Sequence, residues 1–123
     1  MTTSDIVQDL KRAEEAMEAA VRNLEEEDLL TAANRVFVAC ENTAYVLLKT
    51  KFGSTSVSRK RILTKLKEID PKLKLLYDQA YDLRVQADYG REEILVPLNK
   101  ENVKKTIDEM GNLLSDVKKK YSF

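Results

Sequence analysis

LLTAANRVFVACENTAYVLLKTKFG, residues 29–53, decides the fold. Leu29, Ala33, Val36, Cys40, Thr43 and Leu47 recur at alternating spacings of four, three, four, three and four, the signature of one buried helical stripe. Phe37, Ala44 and Leu48 widen that stripe, which predicts the most enclosed helix of the chain. Asp28 stands where an N-cap carboxylate meets the first free N–H groups, and Gly53 where a left-handed residue closes the last turn.

Working outward from this helix, the same periodicity returns on both sides. Upstream, Ile6, Leu10, Ala13, Met17, Ala20 and Leu24 form one stripe, with Thr3 or Ser4 as cap and Asp5 in the first turn. Downstream, STSVS is a polar connector to a short helix, RKRILTKLKEI, capped by Ser58, whose Ile62, Leu63, Leu66 and Ile69 face inward. Asp70-Pro71 then places a cap before a proline at the first helical position. The helix it opens carries Leu73, Leu76, Ala80, Leu83 and Ala87 and ends near Gly90. REEILVPL, residues 91–98, interrupts the pattern because Pro97 disfavours helix before it. Asn99 caps a last helix with Val103, Ile107, Met110, Leu114, Val117 and Tyr121 inward and Lys118–Lys120 at its negative end. The reading is all-α: an antiparallel up-and-down four-helix bundle with an additional short helix, one domain over residues 1–123.

Composition narrows the chemistry. The 123 residues carry 21 basic and 21 acidic side chains, so attraction to nucleic acid requires a local patch. The charges are unevenly placed: residues 1–28 hold nine acidic against three basic, and 58–75 seven basic against two acidic. A single cysteine, Cys40, excludes an intrachain disulfide and a cysteine-based zinc cluster. No apolar run reaches the roughly 18 residues of a membrane span, and MTTSDIVQDLKR lacks the form of a signal peptide, so a cytoplasmic protein with no membrane partner is expected. There is no histidine, which removes imidazole acid–base catalysis, histidine-dependent nucleophiles and histidine-ligated metals. Neither a cofactor nor a metal site is expected.

One line of residues on the fourth helix stands out beside its core stripe. Tyr77, Tyr81, Arg84 and Asp88 follow at spacings of four, three and four, placing two phenols, a guanidinium and a carboxylate on the edge of the core. Arg84 and Asp88 are one turn apart and can pair. In the second helix Asn34, Arg35, Glu41 and Asn42 add polar groups to a broadly apolar segment and could line a dimer cleft facing Arg84, between the faces that carry the second and fourth helices. The basic run from Arg59, Lys60 and Arg61 through Lys74 either binds phosphates, meets an acidic partner surface or is a solvated face.

The segments AANRVFVACENTAYVLLKTKFG and YDQAYDLRVQADYG, separated by the short basic helix, resemble the HEPN domain (higher eukaryotes and prokaryotes nucleotide-binding), closest to its small stand-alone prokaryotic branch. The residues that carry the resemblance are Ala32, Ala33, Arg35 and Phe37, then Gly53, then Arg84, Ala87, Asp88 and Tyr89. It implies a homodimer that partners a minimal nucleotidyltransferase in a two-component or toxin–antitoxin module. Active members are metal-independent ribonucleases with an arginine followed, four to six residues on, by histidine. Arg84 matches the arginine; Tyr89, Gly90 and Arg91 occupy the histidine positions, and Val85 replaces the polar residue that often follows the arginine.

RNA cleavage without metal needs a base and an acid that work near neutral pH, whereas unperturbed tyrosine titrates near ~10. The expected function is therefore a binding subunit that holds nucleotide or RNA phosphate near Arg84, with Arg35, Arg59, Lys60 and Arg61 as further binding residues. The alternatives are a ribonuclease toxin with a degenerate motif, using Arg84 with Asp88 or Tyr89 as catalytic residues, and a ligand-free scaffold. The resemblance also makes Tyr89 a candidate for adenylylation by the partner enzyme.

Overall fold

The computed structural model describes residues 3–53 and 58–120. The side chains of Thr3 and Ser4, and Tyr121, lie outside the described residues, and with them the expected first cap and the last inward aromatic. Five helices follow in order: α1 (Thr3–Glu25), α2 (Leu29–Phe52), α3 (Arg59–Ile69), α4 (Pro71–Tyr89) and α5 (Lys100–Lys120). Each boundary has a local cause. The Asp28 carboxylate accepts from Thr31 N–H, the Ser58 hydroxyl from Arg61 N–H, the Asp70 carboxylate from Lys72 N–H, and Asn99 Oδ1 from Asn102 N–H. Gly53 and Gly90 close α2 and α4 at positive φ.

Lys49 Nζ meets Asp9 Oδ2 at 2.6 Å, so the end of α2 lies beside the start of α1. Asn34 Nδ2 donates to Asp88 Oδ2 at 2.9 Å, joining the start of α2 to the end of α4. Lys100 to Glu27 and Lys118 to Glu14 run α5 back along α1. These pairs make an up–down–up–down bundle in which α2 touches every other helix and α3 lies mainly against α4. Ala32, Ala33, Val36, Ala39, Val46 and Leu48 of α2 are fully enclosed, as its wide stripe predicts. Full burial of one Val or Leu side chain contributes about 1.5–3 kcal/mol, so α2 is the core about which the others are arranged.

On α4 the structure corrects the expected stripe. Leu76, Ala80 and Leu83 are buried, but Leu73 and Ala87 are only half-buried, while Val85 is buried off the stripe. Tyr77, expected at the core edge, is 2% exposed and packs edge-on against Phe37 at 5.4 Å. The helix is covered on a second side by α3 and by the segment after Gly90, so a single-stripe pattern cannot describe it.

Asp82 is the clearest consequence of that second cover. Its carboxylate is 2% exposed and accepts from the backbone N–H of Ile94, Leu95 and Val96 at 3.1, 2.8 and 3.0 Å. One turn on, Gln86 donates to Val96 O and accepts from Leu98 N–H at 2.8 and 2.9 Å. Two α4 side chains thereby supply the pairing that an irregular backbone lacks. Among the described residues, no helix is long and apolar enough to cross a membrane.

Candidate functional site

The polar line on α4 meets a matching line on α2. Asn34, Phe37, Glu41 and Tyr45 succeed one another at three/four/four spacing along α2, and antiparallel packing sets them against Asp88, Arg84, Tyr81 and Tyr77. The Arg84 guanidinium lies over the Phe37 ring at 5.2 Å, and its Nε donates to Asp88 Oδ2 at 3.2 Å. The same Oδ2 accepts from Asn34 Nδ2. Asn34 Oδ1 in turn accepts from Arg35 Nε and Nη2 at 3.0 and 2.5 Å. A continuous chain Arg84–Asp88–Asn34–Arg35 therefore crosses from α4 to α2.

A second chain runs through the rings. Phe37 contacts Tyr81 edge-on at 5.6 Å, and Arg59 of α3 caps Tyr81 at 4.0 Å while lying 3.8 Å from Asp78. Arg59 is thus joined to Arg84 through two aromatic rings, whereas Lys60 and Arg61 are exposed on the far side of α3 and take no part in the seam. Tyr89, with 61% of its surface exposed, stands 5.9 Å from the Arg84 guanidinium and 5.7 Å from that of Arg91, measured to the ring centre.

Asp88 is not the sole carboxylate near Arg84. Glu41 is half-buried on the facing line; burial pushes its carboxyl above the usual carboxylate range, against the pull of Arg84 and a hydrogen bond with Tyr45. Burial, followed by the Glu41 charge, pushes the Tyr45 hydroxyl up to about 12. The same two causes hold the Tyr77 hydroxyl and the Cys40 thiol protonated well beyond the neutral range. Asn42, expected in the cleft, is instead buried and donates to Val38 O of its own helix. The signal that marks Glu41 in the sequence is its register with Asn34, Phe37 and Tyr45, which becomes legible only once α2 and α4 are known to be neighbours.

The arrangement can do one thing well. Arg84 is fixed by a ring below and one carboxylate beside it, and 30% of its side chain faces outward with N–H groups to spare. A guanidinium so placed presents a fork for a phosphate or carboxylate. Among the described residues, no group of three or more cysteine or acidic side chains is placed to hold a metal ion.

The class these features define is a five-helix all-α domain whose second and fourth helices share a charged aromatic seam. A family model for the HEPN domain matches residues 7–120, and the chain belongs to that family. No curated protein matches the sequence.

Proposed function

We propose that the protein is the binding subunit of a prokaryotic two-component, toxin–antitoxin-like module with a minimal nucleotidyltransferase, and that it holds a nucleotide or RNA phosphate at Arg84 as a homodimer. The observation that carries the reading is the partly exposed Arg84 guanidinium, oriented by Phe37 and opposed by Asp88 alone among direct ion-pair partners in the described residues. Cleavage would need two groups exchanging protons near neutrality. Tyr45, Tyr77 and Cys40 are all shifted away from that range, so the seam is better equipped to hold an anion than to cut one. Tyr89, exposed and with the Arg84 and Arg91 guanidinium groups beside its ring, is the residue we assign to modification by the partner enzyme.

Glu41 favours a second reading, a ribonuclease. Its raised carboxyl beside Arg84 is the one group of the seam whose shift brings it toward neutral pH. In that reading Glu41 takes the 2′-hydroxyl proton, the 2′-oxygen bonds to phosphorus, and the bond to the 5′-oxygen breaks as that oxygen gains a proton from water.

The test is incubation of the purified protein and its Arg84→Ala variant with RNA, together with equilibrium binding of inorganic phosphate and ribose 5-phosphate. Saturable binding lost in the variant, without cleavage by either protein, supports the binding subunit. Cleavage lost in both Arg84→Ala and Glu41→Gln replaces it with the ribonuclease. Absence of both activities in the wild type defeats both readings and leaves a helical scaffold.

A further inference from the structure

Where α1, α2 and the end of α4 meet, an open cleft of about 500 Å³ is lined by the apolar Ala19 and Leu30 and by the polar Asn23, Thr31, Asn34, Arg35 and Asp88. Its size is that of small-molecule sites. The lining suits a flat heteroaromatic ring better than a simple anion or an aliphatic chain, because it combines apolar surface with donors and acceptors of both kinds. Arg35 is the cation of this lining. Its guanidinium is half-buried and held by two hydrogen bonds to Asn34 Oδ1, which fixes the plane while leaving further N–H groups unspent. A guanidinium plane so fixed can stack on a nucleobase and donate along its edge.

We propose that this cleft is a nucleobase subsite, taking the base of the nucleotide unit whose phosphate rests on Arg84. The proposal rests on the Arg84 reading and extends it from an anion to a whole nucleotide. Asp88 joins the two halves. Its Oδ2 accepts from Arg84 on one side and from Asn34, a cleft residue, on the other. Guanidinium and cleft are therefore one carboxylate apart, the place a sugar occupies between phosphate and base, and a carboxylate there can accept from sugar hydroxyls.

The probes are inorganic phosphate, ribose 5-phosphate, AMP and a short oligoadenylate, titrated calorimetrically into the full chain, with circular dichroism to check that each variant is folded. We expect AMP, or the adenosine unit of the oligonucleotide, to bind at least tenfold more tightly than ribose 5-phosphate. Whichever adenosine probe binds more tightly identifies free nucleotide or RNA as the source. Arg35→Ala, and Thr31→Trp at an exposed position that fills the cleft, reduce adenosine binding to the ribose 5-phosphate level. Arg84→Ala weakens every probe. If ribose 5-phosphate and both adenosine probes bind equally to the wild type, the subsite is overturned while the Arg84 reading stands. If adenosine binding is unchanged in Thr31→Trp and Arg35→Ala, the base lies elsewhere and the subsite is again overturned. If no probe binds, inorganic phosphate included, the Arg84 reading fails and takes the subsite with it.

Discussion

Asp82 offers the most direct quantitative test of the structure. Its carboxylate is enclosed and receives three backbone N–H groups, from Ile94, Leu95 and Val96. Hydrogen bonds to a charged acceptor contribute roughly 1.5–3 kcal/mol each, but they do not simply add when one carboxylate serves all three. Ile94 and Leu95 are exposed, so water can replace part of what is lost at their amides. Asp82→Ala should therefore destabilise the fold by about 2–4 kcal/mol, well below the sum of three bonds. Asp82→Asn keeps the volume but removes the charge and turns an NH₂ group toward N–H donors; it should lose about 1–2 kcal/mol. Urea unfolding followed by circular dichroism measures both, and amide exchange at Leu95 and Val96 locates the effect. The reasoning is refuted if Asp82→Ala unfolds within about 0.5 kcal/mol of wild type, the range of an ordinary surface substitution, or if those amides exchange freely in the parent.

Other outcomes follow from single residues. Glu41 has a folded-state carboxyl raised by burial, so its contribution to stability is fully present below the unfolded value and falls as pH rises through the folded one. Glu41→Gln should accordingly gain stability relative to wild type at neutral pH and not at pH 4, and a parallel pair of pH–stability curves would contradict this. Gly111 lies inside α5, where an added Cβ would meet only Met17 Cε at an ordinary 3.8 Å; Gly111→Ala should stabilise by about 0.5–1 kcal/mol in the same urea assay. Glu27 holds φ at 62° in the turn between α1 and α2, so Glu27→Gly should raise stability by up to about 1 kcal/mol, whereas a loss would mean the residue has another role. Cys40 is buried with its thiol pushed up by that burial and then by Glu41, so a thiol reagent should label it only on unfolding; rapid labelling of the native protein would place it elsewhere.

The fold was legible wherever one helix face does one job. The stripes of α1, α2 and α5 recur almost unbroken as core, and Asp28, Ser58, Asp70 and Asn99 all cap as their positions suggest. The reading failed on α4 because that helix is covered twice, and a second covered side has no periodic signature. Tyr77 looked like an edge residue, and nothing in the spacing singled out Asp82; their burial depends on Phe37 and on residues 94–96, which only the tertiary fold brings near. The candidate site divides the same way. The Arg84–Asp88 pair is local, one turn apart, and was readable. Asn34 and Glu41 were expected to face Arg84 across a cleft between two chains; they face it within one chain, because α2 and α4 pack on each other, which no spacing rule within one helix could supply. The partner and the dimer rest on the family resemblance and on the proposal built from it.

The attachment of α3 has a consequence for how the molecule opens. Of its 11 residues only Ile62 and Leu66 are buried, with Leu63 and Ile69 half-buried against the core, and its cations Arg59 and Lys65 lie over Tyr81 and Phe52 while Arg59 also meets Asp78. These few contacts fall short of global stability, so α3 should lift away as a sub-global unit before the bundle melts. Each such excursion would uncover the outer face of Tyr81 and leave Asp78 with Lys74 alone. The seam would then exist in a shielded and an unshielded form, with their ratio set by one short cationic helix and by the salt concentration around it.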